Sequence, residues 1–284
     1  MSNNCDTDCV ETANLDSSYV EVAMKKWRQV PFSNRFMFRL VMDDPELCKQ
    51  TLEVVLGIKI RKLIYQETEK SFEARLLSKG VRLDVYIEDT DGVMYDLEMQ
   101  ASDADGVALG KRTRYYQSLM DTNQLKKGEH YSQLKKSIMI FICCYDPFKL
   151  NFMRYTFSNL CRERKSLELD DESYKIFINA KGIVGSENQD LLNFIDFINT
   201  GKGNDAFTEK LAEAVRLNHE DPHKAVRYMT IEEEMQTYAI GAANKARAEG
   251  KAEGLLQGKL ETARKMLSRG MSIEDIIDIT GLSA

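Results

Sequence analysis

Two carboxylates, Asp84 and Glu98, lie in a stretch whose alternating pattern predicts two short strands, RLDVYIEDTDGVMYDLEMQ. Because successive strand residues point to opposite faces, Glu98 shares a face with Asp96 and Gln100 on the second strand, and Asp84 lies on the polar face of the first. Paired carboxylates on one surface are the oxygen donors that a hard divalent cation prefers. The spacing therefore predicts a metal site on a β-hairpin.

The turn between the two strands decides whether the carboxylates face each other. A three-residue loop at residues 90–92, with its glycine in the left-handed conformation, pairs Asp89 with Val93. In that register Asp84 lies directly opposite Glu98, and facing side chains start about 4.5–5.5 Å apart. A two-residue turn would shift the register by one and place the carboxylates on opposite faces. The predicted metal site thus depends on this one turn.

The alternation of apolar and acidic residues is also typical of a solvated sheet edge, so it does not by itself indicate a metal site. The order of the segments that follow the hairpin is more informative. The segments KRTRYYQSLMDTNQLKKGEHYSQLKKSIMIFICCYDPF and RYTFSNLC follow it in the chain. Together with the hairpin they resemble the PD-(D/E)XK nuclease superfamily, and more closely its recombination-promoting nuclease and transposase branch, over roughly residues 26–230. The resemblance implies an α/β fold: a restriction-endonuclease-like mixed sheet flanked by helices, with a helical C-terminal extension.

The resemblance also implies roles for the hairpin residues. Asp84 and Glu98 would hold a divalent metal, usually Mg²⁺ with Mn²⁺ as an alternative, and Gln100 stands where the superfamily commonly has lysine. An amide can orient a metal-bound water, but it cannot take a proton at neutral pH or supply a full positive charge. A carboxylate from the preceding helix often completes such sites. Glu53 is a candidate by position only, and a solvent-facing helix residue is the simpler interpretation.

A basic segment follows the hairpin in a chain whose net charge is −6. Between Lys111 and Ser137 the chain has seven lysines and arginines but only two acids, so this segment is locally positive. The net negative charge of the whole chain, by contrast, disfavours nucleic-acid binding. A helix is predicted over residues 109–127, ended by Gly128. Four of its side chains are candidates for contacts with DNA phosphates: Lys111, Arg112, Arg114 and Tyr116. The alternative is a solvated basic helix whose tyrosines pack on the sheet.

Helix caps and apolar runs indicate the remaining organisation. Helices are expected from about Asn34 and from Pro45 to Gly57, and buried strands at residues 138–144 and 174–179. The predicted domains are a mobile tail (1–25), the nuclease-like core (26–182), a helical region (183–258) and a small helical C-terminal element (259–284). The six cysteines lack a disulfide or zinc pattern, and reduced thiols are expected. With neither a signal peptide nor a membrane-spanning run, the sequence predicts a cytoplasmic protein.

Two further patterns in the sequence have simpler interpretations than the functions they suggest. His219-Glu220-Asp221-Pro222-His223 matches the HExxH spelling of zinc proteases, but Pro222 disfavours the unbroken helix that this chemistry needs. Glycines 250, 254 and 258 recur every fourth residue in a charged helix, which indicates a soluble helix able to approach another closely. A homo-oligomer through the C-terminal helices is therefore a prediction.

The expected function is metal-dependent cleavage of DNA phosphodiester bonds with low sequence specificity, linked to recombination or transposition by the resemblance. The alternative is a nuclease fold with weak catalysis that acts as a DNA-binding or protein-interaction module. Gln100 in place of lysine keeps that alternative open.

Overall fold

The computed structural model describes residues 17–68, 70–72, 81–103, 108–125, 127–185 and 188–282. Its centre is a six-stranded mixed sheet with the order β1-β4-β5-β6-β8-β7, and β2 pairs with β3 in a separate two-stranded sheet. Strands β5, β6 and β8 are parallel, whereas β1, β4 and β7 run antiparallel to their neighbours. The strands are β1 Leu63–Thr68, β2 Ser71–Phe72, β3 Val81–Arg82, β4 Val85–Asp89, β5 Met94–Gln100, β6 Ser137–Cys143, β7 Arg154–Phe157 and β8 Ser173–Asn179.

Eight α-helices accompany the strands in the described part of the chain. Two of them begin where the capping residues predict: the side chains of Asn34 and Asp44 accept hydrogen bonds from the first turns of α2 and α3. Helix α3 ends at Gly57, whose φ of 70° is the left-handed conformation that glycine adopts without strain. The helices are α1 Ser17–Trp27, α2 Arg35–Met42, α3 Pro45–Leu56, α4 Leu109–Thr122, α5 Gln189–Thr200, α6 Ala206–His219, α7 Pro222–Ser268 and α8 Ile273–Thr280.

Strand β6 lies at the centre of the core, and all seven of its residues are buried. Parallel strands with both faces covered have continuous apolar sequences of this kind. On the face nearer α4, Met139 and Phe141 of β6 belong to one apolar cluster with Leu109 and Met120 of α4. The buried strands predicted at residues 138–144 and 174–179 are present as β6 and β8. The fold is that of an open mixed sheet flanked by helices, as predicted.

The structure differs from the sequence-based prediction at two helices. Residues 17–25, expected within a mobile tail, belong to α1, because Ala23 and Trp27 are buried and the Trp27 indole Nε1 donates to the carbonyl of Asn218 at 2.7 Å. The earlier part of the predicted tail lies outside the described residues. Helix α4 ends at Thr122 rather than at residue 127, because Asn123 caps it by donating through Nδ2 to the carbonyl of Leu119 at 2.7 Å.

The chain divides into two compact units, residues 1–225 and 226–284. This division differs from the predicted boundary after residue 182, because α5 and α6 belong to the first unit. There, Phe32 lies 6.2 Å and 5.1 Å from the rings of Phe194 and Phe197 of α5. In the second unit, α8 begins at the N-cap Ser272 and buries Ile276.

The remaining sequence patterns take ordinary places in the fold. Helix α6 ends at His219 and α7 begins at Pro222, so the HExxH spelling does not lie on one helix, as expected. His219 instead hydrogen-bonds the carbonyl of Val30 through Nε2 at 2.8 Å. The cysteines of the described segments, Cys48, Cys143, Cys144 and Cys161, carry free thiols. None of the helices in these described segments combines the length and the apolar character that a membrane span needs.

Candidate metal centre

The hairpin of β4 and β5 has the register that the three-residue turn predicts. Gly92 has a φ of 78°, and the amide of Asp89 donates to the carbonyl of Val93 at 3.1 Å. Val85 pairs with Leu97 across the strands. Extending that register by one residue places Asp84 opposite Glu98. The turn prediction is confirmed, and both carboxylates come to one end of the hairpin.

Asp84 and Glu98 are tied to each other's main chain. The amide of Asp84 donates to Oε1 of Glu98 at 2.9 Å, and the amide of Met99 donates to Oδ2 of Asp84 at 3.1 Å. Each carboxylate therefore has one oxygen fixed by a backbone donor of the opposite strand. Both side chains are fully buried, so these hydrogen bonds operate in a low-dielectric environment where they strongly restrict orientation.

Two arginines contact the remaining oxygens of the pair. The guanidinium of Arg35 donates through Nε to Oδ1 of Asp84. Arg112 of α4 donates through Nη2 to Oε2 of Glu98 and through Nη1 to Oε1 of Gln100, both at 3.1 Å. The structure thus brings the hairpin residues together with one of the candidate phosphate contacts of α4: Asp84, Glu98, Gln100 and Arg112. Sequence reasoning missed Arg35, because it lies 49 residues before its partner and no local spacing connects them.

A third carboxylate, Asp96, lies on the same strand face. It is fully buried, and within the described segments neither of its carboxylate oxygens has a hydrogen-bond partner. Burying an unpartnered polar group is costly, and such groups in a folded protein require an explanation. The alternation of residues in β5 places Asp96 on the face of Glu98 and Gln100, so its position is evident from the sequence, whereas its burial is not.

The three acids perturb one another. Burial and, after it, the charge of Asp84 raise the pKa of Glu98 to about 8, against the lowering effect of Arg35 and Arg112. Burial likewise raises the pKa of Asp84, although the contact with Arg35 opposes the shift. For Asp96, burial and the charges of both other carboxylates raise the pKa well above its ordinary value. Each of these shifts acts in favour of the protonated form, and additional positive charge at the site would act in the opposite direction.

The candidate phosphate contacts on α4 divide into two groups. Lys111 and Arg114 are exposed to solvent. Arg112 points inward, and its guanidinium carbon lies 5.2 Å from the ring centre of Tyr116 and 5.1 Å from that of Phe141. The Tyr116 ring is itself 6.4 Å from Phe141, so it packs on the sheet as the alternative interpretation expected. Arg112 is therefore held beside the acids by aromatic faces as well as by hydrogen bonds.

Glu53 is not brought to the other acids by any contact in the described part of the structure. Its carboxylate accepts the backbone N–H of Ile60 at 2.8 Å and the Lys59 ammonium at 3.2 Å, and Lys49 lies 3.6 Å away. With a side chain only 10% exposed, it is not a simple solvent-facing residue either. These contacts fix the segment that follows α3.

The residues at the hairpin fit a divalent cation by donor chemistry and charge. Of the three buried carboxylates, Asp84 and Glu98 are paired with guanidiniums, whereas both oxygens of Asp96 lack a hydrogen-bond partner in the described structure. In their present orientations, no three histidine, cysteine or acidic side chains of the described ranges are arranged to hold a metal ion. The outer oxygens of Asp84 and Glu98 are engaged by the arginines. A cation would therefore have to replace guanidinium contacts that now balance the acids.

A family model described as PD-(D/E)XK nuclease family transposase matches residues 36–248. The match covers more than half of the chain, so the protein belongs to this family, whose description indicates a nuclease or transposition-related function. Neither the curated proteins nor the solved structures contain a match to the chain. The resemblance drawn from the hairpin and the segments after it is thereby confirmed.

Proposed function

We propose that the protein is a Mg²⁺-dependent DNA endonuclease of low sequence specificity that acts in recombination or transposition. One observation carries the proposal: the hairpin register places Asp84 opposite Glu98, with each carboxylate fixed by a backbone donor from the other strand. Family membership supplies the class of chemistry, and the site supplies the residues. Mn²⁺ is proposed as an alternative to Mg²⁺.

Phosphodiester hydrolysis needs a nucleophilic hydroxide and relief of negative charge on the phosphate. A divalent metal bound by the two carboxylates would supply both, by lowering the pKa of a bound water and by polarising a phosphoryl oxygen. Asp84 and Glu98 are the proposed ligands. The half-buried amide of Gln100 can hold the attacking water in position, but it cannot accept the water's proton.

The arginines and the exposed face of α4 account for substrate binding in this proposal. Lys111 and Arg114 project into solvent, where they can neutralise backbone phosphates without reading base edges. Arg112 already lies against Glu98 and Gln100, so it can pass from the carboxylate to the scissile phosphate once a cation balances the acids. Contacts of this kind favour DNA of any sequence.

The test is nicking of supercoiled plasmid by the purified chain in Mg²⁺, Mn²⁺ or chelator. Asp84→Asn keeps the shape of the side chain and an acceptor for the Met99 amide but removes the charge. Asp91→Asn, in the exposed turn of the same hairpin, is the matched control. We expect metal-dependent nicking that is lost in Asp84→Asn and kept in Asp91→Asn. Intact plasmid with every metal, or equal nicking by both variants, would refute the proposal.

A second candidate function is a catalytically weak nuclease fold that holds DNA or a protein partner. The observation in its favour is that Asp84 and Glu98 each pair with an arginine, while Gln100 occupies the position where lysine is common. Retardation of DNA on a gel with no cleavage under any metal would support this function over the first. Cleavage that depends on Asp84 would exclude it.

A further inference from the structure

Asp96 is a fully buried acid of the hairpin face to which the proposed chemistry gives no role. Its carboxylate is fully buried, and neither oxygen has a hydrogen-bond partner among the described residues. Asp84 and Glu98, by contrast, each use one oxygen for a backbone N–H and the other for an arginine. Both carboxylate oxygens of Asp96 therefore remain available to bind a ligand.

The position of Asp96 on the sheet is close to the other two acids. It lies two residues before Glu98 on β5, on the same face, and alternate residues of a strand are about 7 Å apart. It pairs with Tyr86 across the hairpin, and Asp84 lies two residues before that tyrosine, so the two acids are diagonal neighbours at about 7–8 Å. Carboxylates at these separations can share one cation that bonds each oxygen at about 2.1 Å.

We propose that Asp96 is a third carboxylate ligand of the divalent cation, beside Asp84 and Glu98. This inference rests on the proposed function, because it assigns a further residue to the same site. Both oxygens of Asp96 lack hydrogen-bond partners in the described structure and could bind a cation directly, whereas the outer oxygens of Asp84 and Glu98 would exchange their arginine contacts for it. Loss of this ligand should weaken metal binding without removing the hairpin contacts that fix the other two acids.

The experiment is Mn²⁺ titration of the full chain by isothermal calorimetry, with no DNA present. We expect Asp96→Asn to bind Mn²⁺ at least about 10-fold more weakly than the wild type, because removing even a residue that only supports a metal ligand costs about 10- to 100-fold. Asp121→Asn, a half-buried carboxyl on α4 that hydrogen-bonds glutamine side chains, is the matched control and should bind as the wild type does.

Thermal unfolding in chelator serves as the folding control. Because Asp96→Asn removes a buried acid that repels two others, its midpoint should equal or exceed that of the wild type. Asp96→Ser provides the same titration if the asparagine variant fails to fold.

Equal Mn²⁺ affinity of the wild type and the Asp96 variants would overturn the inference. If the wild type still nicks DNA in a metal-dependent way, the proposed function survives that result. A wild type that binds no Mn²⁺ at all would overturn both.

Discussion

Asp84 and Glu98 hold each other in place through the main chain: the amide of Asp84 donates to Oε1 of Glu98 at 2.9 Å, and the residue after Glu98 returns a hydrogen bond to Oδ2 of Asp84 at 3.1 Å. These two contacts of the hairpin thus restrict the orientation of both acids. What remains adjustable is the oxygen of each acid that faces an arginine.

Replacing Arg35 by glutamine should make stability depend on metal. The substitution removes the positive partner of a fully buried carboxylate, and an unpaired buried charge is strongly destabilising. Since the arginine side chain is 48% exposed, solvent reduces the effect, and we expect a loss of about 1–3 kcal/mol in chelator. Chemical denaturation with chelator and with Mg²⁺ measures it, and Mg²⁺ should restore most of the loss.

Arg28→Gln is the control for that measurement, because Arg28 is exposed and distant in the chain from the hairpin acids. It should leave the free energy of unfolding within about 0.5 kcal/mol of the wild type, as is usual for surface substitutions. Equal stability of the two variants in chelator would contradict the importance of the Arg35 contact.

The stability of the metal-free protein should fall as the pH rises toward 8. Burial raises the pKa of Glu98 from its ordinary 4.5 to about 8, so between these values the folded state keeps a proton that the unfolded state releases. The free energy of unfolding then decreases with pH across that window. Thermal midpoints of wild type and Glu98→Gln, compared from pH 5 to 8 in chelator, should diverge because the variant lacks this group. Parallel curves would show that Glu98 does not titrate in this range.

Gln100→Lys separates a slow nuclease from a scaffold. The lysine would place a positive charge beside the bound water and would end the hydrogen bond that Arg112 donates to Oε1 of the glutamine. If the protein cuts DNA, we expect the single-turnover nicking rate in Mg²⁺ to change by about 10-fold or more, in the range of a positioned acid–base group. Gln124→Lys, which lies just after α4, is the control. Absence of cleavage in both wild type and variant would favour the DNA-binding function.

Self-association through the C-terminal helices remains a prediction. Helix α7 carries exposed leucines, among them Leu255 at 65% and Leu256 at 50% exposure, near glycines whose added Cβ atoms would meet nothing within 4 Å. We expect sedimentation of the full chain as an oligomer and of Leu255→Glu/Leu256→Glu as a monomer, because charge in an apolar contact is costly. A wild type that sediments as a monomer would contradict the prediction.

Much of the hairpin could be predicted because its information is local. Alternation places the acids on a face, and a glycine able to adopt φ near 78° at position 92 fixes the register. Arg35 could not be found in this way, since its contact with Asp84 depends on how α2 packs against the sheet. The end of α4 was misplaced because Asn123 caps the helix before the glycine that the sequence favoured as its terminator.

For Asp96, the sequence predicts the position of the residue but not its role. Its face was evident from the alternation, but its significance depends on burial and on the absence of hydrogen-bond partners in the described structure, which a linear pattern does not contain. For Glu53, the position in the sequence suggests a role that its contacts do not support. Its place on a helix before the hairpin suited a ligand, whereas its contacts connect it to Ile60 and Lys59.

The most direct measurement compares the Mg²⁺-dependent nicking rates of Glu98→Gln and Glu88→Gln. Both substitutions remove one carboxylate charge from a strand of the hairpin, but Glu88 is only partly buried and pairs with Lys135. We expect a fall of about 100-fold or more for Glu98→Gln and a rate close to the wild type for Glu88→Gln. Equal rates for the two variants would contradict the assignment of the metal site to the paired acids of the hairpin.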